Sequence, residues 1–146
     1  MLGKMFGKKA GAAKAELSKL KNKDLAEALV GACLLVAYAD GNCDSSEVEN
    51  LNKQLDAHPS LAGYGADIGK MVDNFSNRLD AGWLIGKTQI MREIKDCTHD
   101  ANEAEDVFVA AITIAQADGD VDDKEKAILV EIGKALNLKL QDYGFE

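Results

Sequence analysis

The stretch Ala37-Tyr38-Ala39-Asp40-Gly41-Asn42-Cys43-Asp44-Ser45-Ser46-Glu47 is answered 78 positions later by Ala115-Gln116-Ala117-Asp118-Gly119-Asp120-Val121-Asp122-Asp123-Lys124-Glu125. The two share Ala, Ala, Asp, Gly, Asp and Glu in the same order. Each closes an uncharged run, 28–39 or 107–117, and each opens an amphipathic segment, 48–55 or 127–136. The match extends outward, pairing Ala32 with Ala110, Leu34 with Ile112, Val36 with Ile114 and Leu51 with Leu129. An internal repeat says what a fold is built from. Here the unit is a buried helix, a short acidic loop and a second helix, with halves at about 24–58 and 102–137.

The rest of the composition agrees with helices. A chain of 146 residues with 47% hydrophobic content fits one domain with a sizeable core. The single proline is Pro59, and the apolar spacing supports no strand. The formal charge of -8 is unevenly spread. Residues 1–23 hold seven lysines and one acid, Glu16, and carry +6, so the remaining chain carries -14. A strongly acidic body excludes nucleic acid as the natural partner and suits cations or basic proteins.

Three cysteines, Cys33, Cys43 and Cys97, have no CxxC spacing, and with only His58 and His99 beside them they do not make a structural zinc site. They read as reduced thiols of a cytoplasmic protein. The longest uncharged run has 12 residues, too short to span a bilayer. Lys14 interrupts the stretch that a signal peptide would need to be apolar.

The chain divides into a basic segment with a short helix (1–23, the helix over 12–20) and a helical domain (24–146). Met1, Leu2, Met5 and Phe6 fall on one helical face among lysines, a pattern that gives weak contact with an anionic membrane surface. A frayed, solvated terminus broken by Gly3, Gly7 and Gly11 is the first reading, and that membrane contact is the alternative. Lys21-Asn22-Lys23 is expected to break the chain before Asp24, which caps a central helix over 25–40 with Glu27 as its capping-box partner. A second helix carries Val48, Leu51 and Leu55 and stops at His58-Pro59. Ile68, Met71, Val72, Phe75 and Leu79 give a clean amphipathic helix. Trp83 to Ile94 forms one helix, or two broken near Gly86. A second central helix covers 103–118, and a last one 123–136 buries Ile128, Leu129, Ile132 and Leu136. Leu138, Leu140, Tyr143 and Phe145 dock the tail.

Much of each acidic loop is explained by helix termination. Gly41 and Gly119 sit where a helix ends in a left-handed residue. Asp44 with Glu47, and Asp122 with Glu125, have the spacing of a capping box. Asp40 and Asp118 are not so explained, because each puts a carboxylate at the negative end of a helix dipole. Residues 40–52 contain no lysine or arginine, and the second loop gathers Asp118, Asp120, Asp122, Asp123 and Glu125. A hard divalent cation, calcium or similar, would neutralise them. An EF-hand loop does not fit: Asp118, Asp120 and Asp122 suit positions 1, 3 and 5, but Asp123 replaces the glycine and Leu129 the bidentate glutamate. Two readings stand, a cation site and an acidic face that binds a basic partner.

At these residues the chain resembles the TerB family of small tellurite-resistance proteins and TerB-like domains. Lys21-Asn22-Lys23, Ile85-Gly86-Lys87 and the closing Asp142-Tyr143-Gly144-Phe145 carry the resemblance over nearly the whole length. It implies a single all-α domain of about seven helices with two quasi-equivalent helix-loop-helix halves. It also implies divalent-metal binding by Asp40, Asp44, Glu47, Asp118, Asp122 and Glu125, to which the loop spelling adds Asp120. The family is associated with resistance to tellurite, phage and colicins and with membrane-associated stress complexes. The expected protein is thus a metal-binding or metal-sensing module acting through protein contacts in the cytoplasm, peripheral to the inner face of the membrane. The alternative is a metal-independent acidic adaptor for a basic or membrane-associated partner. No catalytic constellation stands out, so an enzyme is not expected. Thiolate chemistry on tellurite is disfavoured, since Cys33 falls in a core helix and leaves Cys43 as the loop thiol. Oligomeric state is left open.

Overall fold

The computed structural model describes residues 23–39, 45–58, 61, 64, 66–97, 99–117 and 121–145. The expected helix over 12–20 and the membrane-contact pattern of residues 1–9 lie outside the described residues. Within them the chain is all-helical, with no strand. Six helices are described: α1 (23–37), α2 (Ser45–Asp56), α3 (Ala66–Ala81), α4 (Trp83–Lys95), α5 (Ala101–Gln116) and α6 (Asp123–Ala135). A 3-10 turn, Leu140–Tyr143, follows.

The uncharged run of α1 makes it the core helix. Leu29, Val30, Ala32, Cys33, Leu34 and Leu35 are all fully buried, although they lie on every side of the helix. Its approach to α4 is close enough that a Cβ on Gly31 would lie 2.6 Å from Ile90 Cγ2. The helix already includes Lys23 and Asp24, so the expected break does not reach Lys23 and Asp24 is not the cap.

The amphipathic spacing of α3 is realised directly, with Ile68, Val72, Phe75 and Leu79 buried and Met71 packed at the edge. Gly82 turns the chain into α4, which is one continuous helix. Gly86 does not break it. A Cβ there would sit 2.9 Å from Arg78 O and Leu79 N, so glycine serves the close crossing of α4 on the end of α3.

α5 begins at Ala101, earlier than its acidic positions suggest. Asp100 caps it, its Oδ1 accepting from the N–H groups of Asn102 (2.9 Å) and Glu103 (3.2 Å). The expectation of two equally central helices is half right. Val107, Phe108 and Ala111 are buried, but Val109 is 45% exposed and Thr113 is exposed. The aligned positions of α1, Gly31 and Leu35, are buried. α1 is enclosed by neighbours, whereas α5 leaves one side to solvent.

α6 ends in a Schellman motif. Asn137 takes the left-handed conformation (φ 59), and Leu138 N–H donates to Gly133 O at 3.0 Å. That turn sends the tail back over Phe108, whose ring meets Tyr143 edge-on at 4.9 Å and Phe145 at 6.0 Å.

Candidate functional site

The two loop sequences reach one place. The C-terminal ends of α1 (Val36, Ala37) and α5 (Ile114, Ala117) and the first turns of α2 and α6 line a cleft of ≈ 560 Å³. Into it come Glu47 from the first loop unit and Asp122 and Glu125 from the second. Asp40, Asp44, Asp118 and Asp120 lie outside the described residues, so three of the seven expected ligands are placed, and all three share the cleft.

Local chemistry fixes two of them. Asp122 is the N-cap of α6, its Oδ1 accepting from Glu125 N–H at 2.7 Å, while Glu125 Oε1 accepts from Asp122 N–H at a long 3.4 Å. The capping box read from the spacing is therefore present. It does not exhaust the carboxylates, since each ionised group offers about four lone-pair sites. Asn50 and Gln54 bring amide groups to the same cleft, and Lys53 is its one cation among the lining residues. Among the described lining residues, carboxylate and amide oxygens without histidine or cysteine form a hard donor set. It fits calcium, magnesium or manganese better than zinc.

A second acidic group was not legible in the sequence. Asp24, Glu27 and Glu93 place one carboxylate oxygen each within 4.8 Å of one another. It lies at the N-terminal end of α1, roughly 20 Å from the cleft at 1.5 Å per residue. The tertiary contact of α1 with α4 creates it, and no local spacing announces such a contact. The Glu93 carboxyl is pushed above the usual carboxylate range, first by burial, then by the charge of Glu27 and a side-chain hydrogen bond to it, and then by Asp96 and Asp24. Lys23 reaches Glu27 only at 3.9 Å and is itself well exposed.

The raised group has a definite consequence for stability. Folding takes up a proton on Glu93, so its contribution is present at acidic pH and is lost as pH rises past the ordinary glutamate range. Glu93→Gln is therefore expected to raise the melting temperature at pH 7 in EDTA and to change it little near pH 4. Thermal melts at the two pH values check this; a lower melting temperature at pH 7 would contradict it.

Two of the three thiols are accounted for. Burial pushes Cys33 up to about 12. Cys97 is pushed to about 12 by burial and then by Glu103, Asp24, Asp96 and Glu93, and its Sγ contacts Asp24 O at 3.6 Å. Neither is a thiolate at neutral pH, so neither is a ready nucleophile or reductant. Cys43 lies outside the described residues. Among those residues, no helix is long and apolar enough to cross a membrane.

No curated protein and no solved structure shows significant similarity to the chain. The family model described as tellurite resistance protein TerB does match, over residues 14–144. That span is nearly the whole chain, and it contains both acidic loops, the cleft they share and the docked tail up to Gly144. The protein belongs to the TerB family.

Proposed function

We propose that the cleft between the two acidic loops binds a hard divalent cation, calcium or similar, and that the protein is a metal-responsive module of tellurite resistance and stress response. It works through contacts with other proteins, at or near the inner face of the membrane, and not as an enzyme. The observation that carries the reading is the meeting in one cleft of Glu47 with Glu125, its counterpart 78 positions on, and with Asp122. Asp40, Asp44, Asp118 and Asp120 belong to the same two loops and would complete the oxygen set. The ion offsets like charges that otherwise repel at the ends of two helix pairs, so its binding ties the two loop units together.

A second reading is favoured by one feature of the same surface. The cleft runs into a groove of ≈ 620 Å³, with Gln54, Ile114 and Ala117 common to both and Leu55, Val109 and Ala110 on the groove side. An acidic end continuous with an apolar trough suits a basic amphipathic segment of a partner and needs no ion.

Thermal melts of the metal-free protein with added calcium, magnesium, manganese or zinc separate the two. An ion that binds only the folded chain stabilises it by about 2.7 kcal/mol at a hundredfold over its dissociation constant. A melting temperature unmoved by any of the ions would leave the metal-independent adaptor as the reading.

A further inference from the structure

α4 is the exception among the helices of this acidic protein. Its outward side carries Leu84, Ile85, Thr88, Arg92 and Lys95, with Lys87 and Met91 half-buried at the edge. Within the helix no carboxylate lies on that side, and the exposed C-cap Asp96 after Lys95 is the one acid at its end; Glu93, the one acid inside the helix, faces inward to Asp24 and Glu27. Every other helix from α2 to α6 exposes acids: Glu47 and Glu49, Asp73 and Asp80, Glu105 and Asp106, Asp123 and Glu131. Lys134 of α6 joins Arg92 and Lys95 along a shared groove, where Glu131 is the lone carboxylate and is held by Lys87 Nζ at 2.8 Å. Arg92, Lys95 and Lys134 have no ion-pair partner among the described residues.

Helix dipoles account for part of this pattern. Arg92, Lys95 and Lys134 all stand in last turns, where cations are favoured. The dipole explains neither the missing acids nor the aliphatic pair. Leu84 and Ile85 are 70% and 69% exposed, side by side, at the start of the same face. Protruding aliphatic side chains beside unpaired cations match a bilayer surface, where the first enter the acyl boundary and the second meet lipid phosphates.

We propose that the outward face of α4, with Lys134 of α6, docks this protein directly on an anionic lipid surface. The helix lies in the plane of the interface, Leu84 and Ile85 buried and Arg92, Lys95 and Lys134 at headgroup level. The acidic cleft, at the opposite end of α6 from Lys134, plays no part in the contact. One amphipathic contact gives weak, reversible binding, and the +6 charge of residues 1–23 supplies a second attraction of the same sign.

The test is sedimentation of the full chain with vesicles in EDTA at low salt, comparing phosphatidylcholine alone with phosphatidylcholine containing phosphatidylglycerol. Binding is expected to the anionic vesicles only and to fall steeply with added salt. Arg92→Gln with Lys95→Gln should weaken it about 25-fold, at roughly fivefold per charge. Leu84→Gln with Ile85→Gln should weaken it by at least as much without lowering the melting temperature, because both side chains are exposed. Absence of binding to anionic vesicles would overturn the proposal. So would binding that neither pair of changes weakens, which would assign it to the N-terminal lysines. Equal binding to soluble polyglutamate, indifferent to the Leu84 and Ile85 changes, would assign the face to an acidic polypeptide instead of a lipid surface.

Discussion

Phe108→Ala is expected to cost about 3–5 kcal/mol, the range for deleting a fully buried ring. The upper part of that range applies here for a local reason. Phe108 is fully buried, met edge-on by Tyr143 and at a tilt by Phe145, and bounded also by Gly133. A Cβ on Gly133 would lie 3.1 Å from the Phe108 ring and against Leu140, so the glycine has no side chain that could relax into the space. The change also removes what the tail docks on. A fall in melting temperature of roughly 10 °C or more is expected for a chain of this size. Protection of 138–145 from proteolysis should be lost with it. A loss below about 1 kcal/mol would contradict the packing described.

The second large effect belongs to the acidic loops. Asp118→Asn, or Glu47→Gln from the other loop, should remove most of the ion-dependent gain of about 2.7 kcal/mol. In metal-free protein Asp118→Asn should be neutral or slightly stabilising, because it removes a negative charge that follows the C-cap of α5, Ala117, in the sequence. Asp122→Ala should behave differently. It loses the 2.7 Å bond to Glu125 N–H and should cost about 1 kcal/mol already in metal-free protein, in addition to its share of the ion-dependent gain. Glu125→Gln should cost little without an ion, since its reciprocal bond is 3.4 Å and glutamine can keep it. These differences, read in the same thermal melts, separate ion ligands from helix caps.

What the sequence discloses and what it hides follow from how local each feature is. The face of α3 is written in the spacing of Ile68, Val72, Phe75 and Leu79, and the α6 cap in Asp122 and Glu125; both depend on residues three or four apart. The sharing of one cleft by Glu47 and Asp122 was foreshadowed because the two loops have one spelling. The spacing leaves open whether Gly86 breaks its helix, since its role depends on the backbone of Arg78 and Leu79 in another helix. The exposure of Val109 and Thr113 was hidden because α5 is as uncharged as α1, and only the number of neighbours distinguishes them. Asp24, Glu27 and Glu93 come together through α1 packing on α4, which no short-range pattern records.

Calorimetric titration of metal-free full chain with calcium, magnesium, manganese and zinc tests the central claim most directly. Saturable binding of a hard ion is expected, persisting in Glu93→Gln and lost when Glu47→Gln and Asp122→Asn are combined. Absence of binding by all four ions would contradict it. Binding that survives the combined loop changes but disappears in Glu93→Gln would contradict it equally, by moving the ion to the opposite end of α1.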